Sequence, residues 1–147
     1  MKLAEAMMQR ADLDKKVSIL GARLNDIALI NKNYALEDEP KHLFEELNKS
    51  MKALSELVYR IHVTNMETID NGRTITAMLT KEEILKMRIN TLIRIKESAS
   101  IDSRFDKTIY TILINKAKLQ KELDECKDQL EKLDMKLQQL NWQTELI

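Results

Sequence analysis

Turn-forming residues are scarce in this sequence. Its 147 residues include two glycines, one proline and one cysteine, and aromatic residues make up 4%. Because glycine and proline interrupt regular structure, their scarcity predicts long helices joined by few connections. The single cysteine, Cys126, excludes a disulfide within the chain. A packed thiol in a reducing compartment is the favoured interpretation, and a disulfide between two copies is the alternative. We therefore expect a mostly helical protein in the cytoplasm.

An excess of charge of either sign is also missing. The 24 Lys and Arg residues balance the 24 Asp and Glu residues. General nucleic-acid binding needs a cationic face that displaces counterions, so we expect no nucleic-acid partner. The most apolar stretch, Ile109–Ile114, is much too short to span a bilayer, and charged residues within positions 1–14 argue against a secretory signal peptide.

The strongest feature present is a regular spacing of apolar residues towards the end of the chain. We name it the leucine seam, and its members are Leu119, Leu123, Cys126, Leu130, Leu133, Leu137 and Leu140. Their alternating steps of four and three are typical of a helix that packs knobs-into-holes along another helix. At ~1.5 Å per residue the seam is roughly 33 Å long, more than a small globular core needs. We therefore predict that the protein forms homo-oligomers through the leucine seam.

Three further apolar stripes precede the leucine seam, and the one on the third helix is formed by Leu85, Ile89 and Leu92. Residues 2–30 carry apolar side chains at steps of three and four, which predicts a first helix with Arg10 as the polar residue in its stripe. Acidic residues followed by Pro40 suit the start of a second helix that runs to about Val63. Additional apolar residues widen its stripe, so we expect this helix to contact two neighbours. The widening residues are Phe44, Met51 and Val58.

A break in the apolar spacing separates the second helix from a third. Within this break, Asn71 and Gly72 form a strong turn signal, because both residue types tolerate positive φ, and they predict a short β-hairpin. Thr80 and Glu83 have the spacing of a capping box. The third helix is therefore expected to start at Thr76 or Thr80.

Residues 101–114 allow two interpretations. The run Thr108–Ile114 is rich in β-branched residues, which favours a strand that pairs with the hairpin. Alternatively, the last helix begins early, because Ile112 lies one heptad before the first residue of the leucine seam. We favour an extended arm, with Asn115 as the N-cap of the last helix.

Together these elements predict an all-α fold. We expect a four-helix antiparallel bundle or coiled coil with long first and last helices. It forms a single domain over residues 1–147. A minor β-hairpin or small sheet is expected near residues 65–76 and 103–112.

Polar residues around the predicted turn form a candidate ligand site. His62, Asn65, Asp70 and Arg73 bracket the loop, and loops held by helices often carry binding residues. The same side chains can instead satisfy the backbone donors and acceptors of the loop itself. Both interpretations stay open at this point.

The sequence contains no recognisable catalytic constellation. His42, Glu45 and Glu46 share one helix face, but the only other histidine lies about five and a half turns further along the same helix. One helix therefore cannot complete a metal shell from these residues. Two glycines cannot supply a phosphate-binding loop. We predict no catalytic residues, no cofactor and no metal, and a protein that is not an enzyme.

Several blocks distributed over nearly the whole chain match a known pattern. These blocks include Met1–Ala6, Arg10–Leu13, Glu37–Pro40, Asp70–Thr74 and Asn141–Trp142. They resemble a bacterial family of septicolysin-like proteins of unknown function, with Asn71 as an insertion in the turn. The resemblance implies a helical, oligomer-prone protein, and the family name implies kinship to a cytolysin.

Two functions are therefore expected. The first is a self-associating structural or interaction module whose helices pair through their apolar faces. The alternative, implied by the resemblance, is a membrane-active, pore-forming protein whose amphipathic helices turn their apolar faces to lipid. Contact with membranes is less favoured, because the polar faces carry balanced charge and not the excess of basic residues typical of such helices.

Overall fold

A computed structural model describes residues 1–29, 39–100 and 109–147. The described residues form four α-helices and one two-stranded antiparallel sheet, which confirms the predicted all-α class with a minor hairpin. They lie in two compact units: the first contains Met1–Thr68 and Leu140–Ile147, and the second contains Ile69–Gln139. The elements are α1 (Leu3–Ile27), α2 (Glu39–Glu67), β1 (Ile69–Asp70), β2 (Arg73–Thr74), α3 (Ile75–Ser98) and α4 (Lys116–Gln143).

The start of α3 is set by a threonine that the sequence patterns did not indicate. Thr74 Oγ1 accepts a hydrogen bond from Ala77 N at 3.1 Å, so α3 begins directly after β2, ahead of both predicted positions. The Thr80 hydroxyl, predicted as a cap, donates instead to the Thr76 carbonyl inside the helix at 3.0 Å. A threonine in a helix interior commonly bonds to the preceding turn in this way.

The predicted small sheet is confined to the hairpin. Residues 109–112 form no strand, so this part of the prediction is wrong, and residues 103–108 lie outside the described residues. β-branched residues favour strands only where a neighbouring strand or core covers them, and the apolar side chains here are largely exposed. Asn115 Oδ1 accepts a hydrogen bond from Lys118 N at 3.1 Å, so α4 begins only after the predicted cap.

The hairpin matches its turn signal. Asn71 has a φ of 47° and Gly72 a φ of 76°, the pair of positive values that a tight two-residue turn requires. Asp70 and Arg73 are paired across the two strands. Asp70 Oδ1 also lies 2.9 Å from Lys136 Nζ on α4, so the hairpin is attached to that helix within the second unit.

The second unit is built on α3 packed against α4. Lys96 Nζ donates to Gln120 Oε1 at 2.7 Å, which joins the end of α3 to the start of α4. The pair between Asp70 and Lys136 joins the segment before α3 to the later part of α4, so the two helices run antiparallel. Their buried cluster consists of Leu85, Ile89 and Leu92 from α3 with Leu119, Leu123 and Cys126 from α4.

The first unit is built on α1 packed against α2. The predicted stripe of α1 is confirmed as its packing face, and Arg10 within it is exposed and reaches Asp14, with 3.7 Å between Nε and Oδ2. On α2 the buried face continues past the predicted end at Val63, because Thr64 is fully buried. The buried residues are Leu3, Ala4, Ala6, Leu20 and Leu24 on α1 with Ser50, Leu57, Ile61 and Thr64 on α2.

Residues Thr144–Ile147 run alongside the start of α1. Leu3 N donates to the Thr144 carbonyl at 2.9 Å, and Leu146 N donates to the Met1 carbonyl at 2.8 Å. This is a short antiparallel pairing between segments that are separated by almost the whole sequence. The side chains of Leu146 and Leu3 are both buried, and that of Leu3 is completely enclosed.

The same segment also binds the last turns of α2. Ile147 N donates to Thr64 Oγ1 at 3.0 Å, and Arg60 Nε donates to the Ile147 carbonyl at 2.8 Å. Residues 144–147 therefore bring the start of α1 to the end of α2. Because Lys16 Nζ pairs with Glu46 Oε1 at 3.1 Å near the other end of α2, these two helices are antiparallel as well.

We propose that the chain unfolds as the single domain expected from its length. The continuous helix α4 supplies residues 116–139 to the second unit and residues 140–143 to the first. Because loss of this helix removes packing residues from both units, we expect circular dichroism and intrinsic Trp142 fluorescence to report one coincident unfolding transition in urea. Two separated transitions would contradict the single domain.

Candidate interaction surface

The leucine seam is covered within the chain over much of its length. Leu119, Leu123 and Cys126 are buried against α3, and Leu130 and Leu133 are partly buried beside the same cluster. The last two members of the seam, Leu137 and Leu140, are also buried. The leucine seam therefore packs against another helix, as its spacing predicts. For its first half, that helix is α3 of the same chain and not a second copy.

The candidate surface for a partner is a second apolar face on α2, the helix expected to contact two neighbours. Phe44 is 54% exposed and Met51 is 49% exposed, while Val58 is half-buried. Their spacing of seven residues places them in one row on the helix. We name Phe44, Met51 and Val58 the outer stripe.

The outer stripe differs from the row that packs on α1. Leu57 and Ile61 in the packing row are 7% and 4% exposed, whereas the outer stripe stays about half exposed at Phe44 and Met51. Single exposed apolar residues are ordinary on protein surfaces, but a contiguous patch often marks an interaction site. The heptad spacing adds the pattern of a helix that pairs with another helix.

The four residues of the predicted polar loop are divided between the two units. His62 is exposed and Asn65 is half-buried near the end of α2 in the first unit. Asp70 and Arg73 are cross-strand partners in the hairpin of the second unit, where Asp70 pairs with Lys136. Asp70 therefore attaches the hairpin to α4, and a ligand-binding role of the four residues stays a prediction.

The sequence patterns missed a groove in the second unit. It has a volume of about 580 Å³ and lies between the last turns of α3 and the arm Ile109–Ile114. In the sequence, the only feature that pointed to this groove was the absence of charged residues from the arm Ile109–Ile114. Among the described residues of its wall, Arg94 alone is charged, and the rest are apolar or hydroxyl side chains. Apolar wall residues are Ile95, Ala99, Ile112, Leu113 and Ile114.

Neither a metal centre nor a membrane span is found in the described part of the chain. Within residues 1–29, 39–100 and 109–147, no three His, Cys, Asp or Glu side chains are grouped so that they could hold a metal ion. In the histidine cluster considered above, His42 Nδ1 lies 3.9 Å from Glu45 Oε2 on an exposed helix face. None of the helices formed by these residues is long and apolar enough to cross a membrane.

The described residues form a protein of paired antiparallel helices, α1 with α2 and α3 with α4, and α2 carries the outer stripe. Residues 10–146 match the family of unknown function DUF6847, and the chain belongs to this family. A crystal structure of a functionally unknown conserved protein from Corynebacterium diphtheriae is similar over 100% of this chain and 99% of that chain, with a TM-score of 0.92 and 26% sequence identity. No curated protein matches the chain.

The resemblance to septicolysin-like proteins is therefore wrong. The family match over residues 10–146 and the similar structure carry no cytolysin description. The blocks that suggested it include the turn around Asn71 and the acidic entry to α2, and many unrelated helical proteins need such turn and cap residues. The membrane-active alternative depended on that family name and loses its support.

Proposed function

We propose that this protein is a self-associating structural or interaction module of the cytoplasm, and that a second copy of the chain binds to the outer stripe of α2. The observation that carries this proposal is the heptad-spaced exposure of Phe44, Met51 and Val58. Fully burying a large apolar side chain stabilises an assembly by roughly 1.5–3 kcal/mol. Because Phe44, Met51 and Val58 are already about half covered, each gains less than this value, and the row supplies binding energy as the sum of the three.

The outer stripe is self-complementary under two-fold symmetry. Phe44 and Val58 lie at equal distances on either side of Met51 along α2. When two copies of α2 pair antiparallel about Met51, each Phe44 meets the partner's Val58, which sets a large side chain against a small one. Closed two-fold interfaces of this kind are the commonest arrangement in homo-oligomers.

The proposed compartment rests on the state of the lone cysteine. Cys126 is 6% exposed and packs in the α3–α4 cluster as a free thiol. A buried free thiol behaves as a small apolar residue and persists in a reducing environment. This supports a cytoplasmic location.

The proposal is tested by the mass of the protein in solution. One chain has a mass of 17.2 kDa, so a symmetric pair is expected to have twice that mass by light scattering and sedimentation. The measurement covers protein concentrations of about 1–100 µM, the range in which a modest apolar interface assembles. A mass of one chain throughout this range would refute self-association.

A further inference from the structure

Residues Met1–Leu3 and Thr144–Ile147 meet in a contact that differs in character from the rest of the first unit. We name these two segments, with Arg60 and Thr64 of α2, the terminal clasp. Its polar contacts are the backbone and side-chain hydrogen bonds given above, together with an ion pair of 2.6 Å between Lys2 Nζ and Glu145 Oε1. The pairing of α1 with α2 instead rests on buried apolar rows.

The charged part of the terminal clasp lies at the surface. The Glu145 side chain is 64% exposed and accepts hydrogen bonds from Lys2 and from the Met1 amino group, which lower the pKa of Glu145 below its ordinary value. Exposed ion pairs of this kind are weak and are screened by salt. They leave the backbone bonds to residues 1–3, the bonds to Thr64 and Arg60, and the buried Leu146 side chain to hold the segment in place.

Thr64 is the point where the clasp is anchored to α2. Its side chain is fully buried, and its hydroxyl donates to the Arg60 carbonyl at 2.8 Å while accepting from Ile147 N at 3.0 Å. The Arg60 side chain returns a bond to the Ile147 carbonyl. When residues 144–147 move away, the Thr64 oxygen loses its donor and the Leu3 amide loses its acceptor, the Thr144 carbonyl.

We propose that Thr144–Ile147 is a latch that opens and closes as one unit on the paired ends of α1 and α2 while both helices stay folded. Segments held by few apolar contacts open locally at a lower free energy than the core to which they are attached. The latch has one buried apolar side chain, Leu146, whereas both helices of the pair beneath it contribute buried apolar side chains. Opening removes the acceptor of the Leu3 amide and the donor to the Thr64 hydroxyl, and the side chains of both residues are fully buried.

Amide hydrogen exchange of the full chain tests the latch. The reporter amides are Leu3, Leu146 and Ile147, and the amide of Leu57 reports on the helix pair. In Thr64→Val the side chain keeps its shape but no longer accepts from Ile147, so all three reporter amides are expected to exchange roughly two- to tenfold faster, as the loss of one hydrogen bond predicts. Exchange at Leu57 stays unchanged.

The control variant is Thr64→Ser, which keeps the hydroxyl and is expected to restore slow exchange at the three reporters. A second variant, Glu145→Gln, removes the charge at an exposed position and is expected to accelerate the same three amides by a similar or smaller factor. The latch is refuted if exchange at the three reporter amides does not accelerate, or if it accelerates at one of them without the others. It is also refuted if exchange at Leu57 accelerates as much as at the reporters.

Discussion

Replacing Leu123 by alanine is expected to lower the free energy of unfolding by about 2–5 kcal/mol, the range for buried leucines truncated in well-packed cores. Leu123 is 2% exposed and lies in the middle of the cluster that joins α3 to α4. Its removal leaves a cavity between α3 and α4 that the surrounding side chains close only in part. Urea unfolding followed by circular dichroism measures the loss.

The matched control is Leu113→Ala, because Leu113 is 92% exposed in the arm before α4. That change is expected to stay within about 0.5 kcal/mol of the unchanged protein. The comparison also separates two roles of the leucine seam. If α3 is the partner of Leu123, the difference in unfolding free energy between Leu123→Ala and the unchanged protein is the same at all protein concentrations, whereas for a seam between copies that difference changes with concentration. An effect equal to that of Leu113→Ala would contradict the core position of Leu123.

The double variant Phe44→Glu and Met51→Glu is expected to convert the proposed assembly into single chains. Each substitution puts a carboxylate where the proposed interface buries an apolar side chain, and burying an unpaired charge costs several kcal/mol. The dissociation constant should rise by at least about 100-fold, so the mass by light scattering should fall to that of one chain. Because both positions are about half exposed, the helix content should not change.

Met135→Glu serves as the control for this variant. Met135 is 66% exposed on α4 and does not belong to the outer stripe. The same charge there is expected to leave the mass of the assembly unchanged. An unaltered mass in the double variant, or an equal loss of mass in Met135→Glu, would show that α2 does not carry the interface.

Local periodicity made much of the fold predictable. The steps of three and four in residues 2–30 and in the leucine seam indicated α1 and α4, and Asn71 with Gly72 indicated the hairpin. Asn115 was predictable as a cap because it precedes the first residues of α4. Each of these features depends on residues within about two helical turns of one another, so the neighbouring sequence contains the information.

Other features were missed because they depend on competition between residues or on distant partners. Thr74 caps α3 because β2 ends there, whereas the capping-box spacing favoured Thr80. Residues 109–112 have the composition of a strand, but the described structure gives them no strand to pair with. The resemblance drawn from short blocks was wrong, since caps and turns are shared by many helical folds.

The sequence by itself determined which segments are helices and which face of each helix is apolar, because these properties follow from nearest neighbours along the chain. Only the tertiary structure decided the partner of each face. It placed α3 against Leu123, left Phe44 and Met51 exposed, and brought Ile147 to Thr64. An apolar helix face can pack against any other apolar face, whether that face belongs to the same chain or to a second copy. The spacing of apolar residues therefore does not reveal whether a seam lies inside one chain or between two.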